Sequence, residues 1–261
     1  MVLPEFLKNV NYTILMNHKD GMLIEVDFTS IFAELISASL SVQDKLKWYV
    51  EFKAYGNVCK MKRGICDFRK NIEKDASPLV FSKIPFFPQV MTRELLLVQE
   101  NISKLLGIDF NACLVNSYDK DDQICAHSDD EDTVVKHFGV MSINCGPGSR
   151  LFRVQEKKSE SKGKTYDFIS RPFYGLLMYG DNFQFKYTHA ILKNKIPKSL
   201  WPNGVIDKNE KASRTSITFR MHDEVQASQN EKKRIIRVQK ADTKNKRQKI
   251  ETKMEGCDID V

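Results

Sequence analysis

Phe110-Asn-Ala-Cys-Leu-Val-Asn-Ser-Tyr-Asp-Lys-Asp-Asp-Gln-Ile-Cys-Ala-His-Ser-Asp-Asp-Glu131 is the stretch from which the fold can be read. Ala112, Leu114, Asn116 and Tyr118 alternate with Cys113, Val115 and Ser117, which is the period of a strand. Asn116 and Tyr118 therefore leave the backbone on one face. A polar turn over residues 119–123 ends the strand, and the chain resumes at Ile124. His127 and Asp129 then stand two residues apart, so on extended backbone they point the same way. An imidazole and a carboxylate on one side of a strand are half of a metal site, and they call for a further imidazole.

His189 supplies it, in the short aromatic run Gln184-Phe-Lys-Tyr-Thr-His-Ala-Ile191. Two His and one carboxylate make the facial triad of non-haem Fe(II), which leaves coordination positions open. Downstream, Arg214-Thr-Ser-Ile-Thr-Phe-Arg220 alternates again, with Thr215, Ile217 and Phe219 on one side and both guanidinium groups on the other. Core-facing Arg is rare unless it meets an anion, and a planar fork suits a carboxylate.

Taken together, these pieces resemble the AlkB-type Fe(II)/2-oxoglutarate dioxygenases, which remove alkyl groups from nucleic-acid bases. Asn116-Ser-Tyr118, His127-Ser-Asp129-Asp-Glu131, His189 and Arg214-Thr-Ser-Ile-Thr-Phe-Arg220 occur in the family's order and local spacing. His-x-Asp alone is weak, whereas four matched pieces in order are specific. The strand-rich pattern without a β-α-β rhythm suggests an antiparallel sandwich with helices outside. The resemblance makes that a mainly β (α+β) double-stranded β-helix, or jelly roll, over residues 45–222. It implies Fe(II) held by His127, Asp129 and His189, with 2-oxoglutarate and O2 as cosubstrates. Arg214 is expected on the distal carboxylate and Arg220 on the carboxylate nearer the metal, with Asn116, Tyr118 and Ser216 beside them. Ser216 stands where the family usually has Asn.

For the substrate, the resemblance implies DNA or RNA carrying an alkylated base. The expected products are succinate, CO2, formaldehyde and the restored base. Residues 50–82 fall where the family has a substrate lid, and aromatics interleaved with cations suit such a surface. Tyr55 corresponds to an aromatic-Gly finger, Phe81 to a base-stacking ring and Arg63 to the Arg of a Pro-Arg pair that meets phosphate. Met61 stands where that Pro would be, and ordinary packing is the competing reading for Tyr55 and Phe81. Asp130 and Glu131 fall where the family bonds the base edge, and Arg150 or Phe152 where it lines the base pocket. Two other function classes stay open: the same oxidation of a protein or small molecule, and a non-catalytic nucleic-acid-binding module on this scaffold.

Composition narrows the rest. At 261 residues with 41% hydrophobic residues, one catalytic domain with extensions is expected. No apolar run reaches membrane-spanning length and residues 1–13 lack the order of a signal peptide, so an intracellular monomer without membrane contact is expected. The six cysteines contain no C-x-x-C pair, which argues against a zinc cage or disulfide framework. Reduced thiols suit a compartment that keeps iron ferrous.

The net charge of +7 lies in residues 231–250, where nine Lys/Arg face two acidic residues, and the remainder sums to zero. Residues 223–261 are poor in large apolar groups and are expected to be a disordered basic tail. The tail reads as a nuclear-import signal, a phosphate-tracking arm or a solubilising appendage. Residues 1–44 read as an N-terminal extension with a supporting helix from about 30 to 40. The clearest helix opens at Thr92 and stops at Gly107, with Leu95, Val98, Ile102 and Leu105 on one stripe.

Overall fold

The structure, a computed structural model, describes residues 5–43, 51–54, 57–60, 63–72, 78–81, 84–131, 134–157, 163–207, 209–210 and 212–223. In chain order the strands and helices begin with β1 (Tyr12–His18), β2 (Gly21–Asp27), α1 (Phe32–Gln43), β3 (Glu51–Ala54) and β4 (Asn57–Lys60). There follow β5 (Gly64–Arg69), β6 (Leu79–Phe81), β7 (Ile84–Phe86), β8 (Gln89–Val90), α2 (Arg93–Leu106), β9 (Ala112–Tyr118) and β10 (Ile124–His127). The remaining described elements are β11 (Val140–Pro147), β12 (Arg150–Glu156), β13 (Thr165–Ser170), β14 (Tyr174–Tyr179), α3 (Phe183–Lys186), β15 (Tyr187–Leu192) and β16 (Arg214–Arg220).

Two sheets face each other. The larger runs β1-β2-β14-β11-β16-β9-β5-β8 and the smaller β10-β15-β12-β13. From β9 onward the chain crosses between sheets at nearly every connection, and its pairings are antiparallel. This is the double-stranded β-helix, the jelly roll that the resemblance implies.

Strand parity divides the core. Cys113, Val115, Met141, Ile143, Ile217 and Phe219 turn outward from the large sheet and pack with Leu35, Leu95, Val98 and Ile102 of the two long helices. The opposite parity faces the small sheet, where Tyr118, Met178, Phe152, Val154 and Ile191 close a second cluster. The helix signals are met: the Thr92 side chain accepts from the Leu95 N–H at 3.2 Å, and Gly107 takes φ 62°, the left-handed stop that favours glycine.

The N-terminal boundary needs correction. β1 and β2 form a hairpin with His18 opposite Gly21, and β2 pairs with β14. Two strands of the main sheet thus come from the segment expected to be an extension, and the jelly roll does not begin at 45. The described residues up to His222 belong to one compact unit. The expected basic tail, apart from Asp223, lies outside the described residues.

The Gly146-Pro147-Gly148 insertion sits at the end of β11, where the pairing with β16 shifts between Asn144 and Pro147. Buried Asn144 stitches it: its Nδ2 donates to the Gly148 and Ser170 carbonyls, and its Oδ1 accepts from the Gly146 N–H. In the connection after β15, Ile196, Leu200 and Trp201 cluster with Leu151, Ile169 and Leu192 of the small sheet. No described helix is long and apolar enough to cross a membrane.

Candidate active site

The pairing of β16 with β9 sets Arg214 opposite Tyr118, Ser216 opposite Asn116, Thr218 opposite Leu114 and Arg220 opposite Ala112. On the far side of β9, β5 sets Ile65 beside Asn116, Asp67 beside Leu114 and Arg69 beside Ala112. These positions share the parity that faces the small sheet. One wall of the cavity between the sheets is therefore polar and cationic inside an apolar body.

Across that cavity β10 pairs with β15, placing His127 opposite His189. The two ring centroids are 4.2 Å apart. Asp129 follows just beyond the end of β10, buried, with Oδ2 at 3.5 Å from His189 Nε2. One ligand atom from each of His127, Asp129 and His189 lies within 4.8 Å of the others, the only such His/Cys/Asp/Glu grouping among the described residues.

Each ligand is oriented by a neighbour. His127 Nδ1 lies 2.9 Å from the Cys125 carbonyl; donating there leaves Nε2 for the cavity. The Asp129 N–H donates to Gln184 Oε1 at 2.9 Å, and the Phe152 ring stacks on His189 at 5.7 Å and 21°.

Burial alone would raise the Asp129 carboxyl, but Arg220, His189 and His127 together hold it below the usual carboxylate range. Arg220 Nη2 donates to Asp129 Oδ1 and Nη1 donates to Glu131 Oε1 at 3.2 Å. Burial works against the Arg220 charge, but Asp129 and Glu131 outweigh it and raise its pKa. Burial, aided by the neighbouring His127, pushes His189 down to about 3, so at neutral pH it is an uncharged imidazole fit to ligate.

Behind Arg220 a second buried pair joins Arg69 Nη2 to Asp67 Oδ2 at 3.1 Å. Burial raises the Asp67 carboxyl to about 6.

The other end of the cavity is different. Arg214 is buried, donates from Nη1 to Ser170 Oγ at 3.3 Å and lies 5.0 Å over the Tyr118 ring. It has no carboxylate partner among the described residues, and its buried Nε has no hydrogen-bond partner. Burial lowers it to about 10, still protonated at neutral pH. A buried cation facing an open cavity is a receptor for an anion.

A three-ligand cation site at one end and an unanswered guanidinium at the other correspond to one family chemistry. Residues 34–220 match the family model of the 2OG-Fe(II) oxygenase superfamily. The chain belongs to that superfamily. A solved structure titled as that of OsALKBH1, a plant AlkB homologue, is similar at 15% identity, with a TM-score of 0.45, covering 80% of this chain and 100% of that one. No curated protein matches the chain by sequence.

A 2OG-Fe(II) oxygenase uses Fe(II), 2-oxoglutarate and O2, and the residues present fit them. Asp129 Oδ2 is buried with no hydrogen-bond partner, the state of an oxygen waiting for a cation. His127 shows the orientation of a metal ligand, with its second nitrogen tied to a carbonyl. Asn116, Tyr118, Arg214, Ser216 and Arg220 all line the one cavity that the three ligands enter.

The substrate-side expectations divide. Glu131 lines the cavity, and its Oε2 is buried with no hydrogen-bond partner. Asp130 does not line it; its exposed carboxylate pairs with Lys157 Nζ at 3.4 Å, outside the cavity. Arg150 is also corrected. Its Nη1 donates to the Ser149 and Glu210 carbonyls, and its Nη2 donates to the Asp119 carbonyl. It braces three chain segments and does not line that cavity.

Arg63 turns inward, with Nε donating to Asn116 Oδ1 at 2.9 Å. Tyr55 and the Phe81 side chain lie outside the described residues.

Sequence reasoning missed Gln184 and the pair Asp67–Arg69. Gln184 sits in a four-residue helix that carries no signal in sequence. The second had one: Arg63, Ile65, Asp67 and Arg69 keep strand parity, although so charged a face reads as solvent-exposed.

Proposed function

We propose that this oxygenase oxidatively dealkylates N-alkylated bases in DNA or RNA, as an AlkB-type enzyme. The observation that carries the reading is Glu131. Its Oε1 is held by Arg220, its buried Oε2 has no hydrogen-bond partner, and the residue lines the same cavity as His127, Asp129 and His189. A fixed carboxylate beside a metal centre accepts a hydrogen bond from an N–H on a base edge. The order of the Asn116, His127, His189 and Arg214 pieces and the basic run at 231–250 support the same reading.

In this account His127 Nε2, Asp129 and His189 would hold the iron on one face. Arg214 would take the distal carboxylate of 2-oxoglutarate, with Tyr118, Asn116 and Ser216 offering further hydrogen bonds. When bound, Fe(II), 2-oxoglutarate and O2 supply the oxidising equivalents: one oxygen atom goes to succinate and the other to the alkyl C–H, with loss of CO2. The N-hydroxymethyl product of a methylated base then releases formaldehyde and leaves an N–H.

The chain's share is placement. Arg220 keeps Asp129 ionised, Gln184 fixes its backbone, and Phe152, Ile191 and Met178 line the cavity and keep water from the reacting C–H. A stacked base cannot reach a site between two sheets, so the substrate must be single-stranded or flipped.

The test is a panel of N-methyladenine and N-methylcytosine oligonucleotides, single- and double-stranded, scored by mass. Loss of a methylene mass with equivalent succinate release, abolished in Asp129→Ala, is the expected result. Turnover of protein or small-molecule substrates, with all oligonucleotides inert, would overturn the nucleic-acid reading and leave the oxygenase.

A further inference from the structure

Arg63 precedes β5, whose next residue, Gly64, pairs with Ser117. It therefore comes beside Tyr118 from one side, while Arg214 comes opposite Tyr118 from the other. Arg63 and Arg214 thus reach the Tyr118 row of the sheet from its two sides, and both line the cavity.

Asn116 adds a second observation. Its side chain is buried, and Oδ1 accepts from Arg63 Nε. An amide whose oxygen is taken must present its NH2 the other way. On β9 that group shares the cavity face with Tyr118 and stands opposite Ser216, which brings only one hydroxyl.

We propose that Arg63 is a positioning residue for 2-oxoglutarate: it fixes the Asn116 amide with its NH2 toward the cosubstrate. This rests on the oxygenase reading and assigns Arg63 to the cosubstrate, not to nucleic-acid phosphate. The amide oxygen would otherwise be free to face the ligand carboxylates, where it repels them.

The test is 2-oxoglutarate affinity of the full chain loaded with Mn(II), measured by calorimetry, for wild type, Arg63→Met, Asn116→Ala and the double variant. Arg63→Met is expected to weaken 2-oxoglutarate about tenfold while Mn(II) affinity stays within about twofold. The double variant should lie within about twofold of Asn116→Ala alone, because the first change acts through the second residue. Arg63→Lys keeps the charge without the planar fork and is expected to fall between wild type and Arg63→Met.

Arg63→Lys equal to wild type, or losses that multiply in the double variant, would overturn the orienting role. Unchanged 2-oxoglutarate affinity in Arg63→Met, with weaker and less salt-dependent binding of a methylated oligonucleotide, would return Arg63 to the phosphate face. A wild type that binds Mn(II) but not 2-oxoglutarate would instead overturn the functional reading itself. Should Arg63→Met fail to fold by thermal melting, Arg63→Lys and Asn116→Ala carry the same decision.

Discussion

Charge placement decides this site residue by residue. Arg220 is paired with two carboxylates, Asp129 and Glu131, whereas Arg214 has one neutral hydroxyl. The two arginines of one strand therefore do different things, and replacing them should separate two constants. Arg214→Met is expected to weaken 2-oxoglutarate by about 2 kcal/mol with iron affinity nearly unchanged. Gln184→Ala should act on the metal, lowering its affinity about tenfold by releasing the Asp129 backbone; equilibrium dialysis distinguishes the two.

Acid should destabilise the metal-free protein through its buried histidines. Burial holds His222 down at about 2 and His189 at about 3, while in the unfolded chain both titrate near 6.5. Below that pH the unfolded state binds the extra protons, so stability is full above about 6.5 and falls as pH drops toward 3. Each group adds up to about 1.4 kcal/mol per pH unit. Denaturant melts of His222→Gln should show a shallower acid limb than wild type.

At this scale the ligands and Arg214 were legible because parity and residue type agree. Arg150 was not: the carbonyls that capture it come from residues 119 and 210, and no local pattern foretells that meeting.

Among elements, the helix Arg93–Leu106 was the easiest to read, since its stripe, cap and stop all lie within a few residues. Thr92→Ala removes the acceptor for the Leu95 N–H and should cost about 1 kcal/mol. Ile102→Ala opens the cluster under the large sheet and should cost about 3 kcal/mol; neither should change 2-oxoglutarate affinity. The strand Ala112–Tyr118 was equally plain.

The hairpin of β1 and β2 went unread although Asp20-Gly21, at the turn between its strands, is a turn signal. Its alternation is blurred because β2 is buried on both faces except at Asp27, which erases the period of two. The strand Gly64–Arg69 was hidden for the opposite reason. It carries charges into the core, where only the meeting with Arg220, Glu131 and the cavity explains them.

On the scale of the molecule, two sheets bring together residues from positions 63 to 220 around one cavity. What sequence conveyed of this was the family order of the pieces; what it could not convey was which cations are answered within the chain. The substrate reading adds a prediction for the charge outside that body. A chain ending at residue 223 should bind methylated oligonucleotides more weakly, with a flatter dependence on salt, while 2-oxoglutarate affinity stays unchanged.

The central claim is that His127, Asp129, His189 and Arg214 form one receptor for Fe(II) and 2-oxoglutarate. Anaerobic titration with Fe(II) and then 2-oxoglutarate, followed by the visible charge-transfer absorption of the iron–keto-acid chelate, tests it most directly. The account predicts a saturable band at one iron per chain, absent in His189→Ala and needing more 2-oxoglutarate in Arg214→Met. A folded wild-type protein that gives no band at saturating iron and 2-oxoglutarate would contradict it.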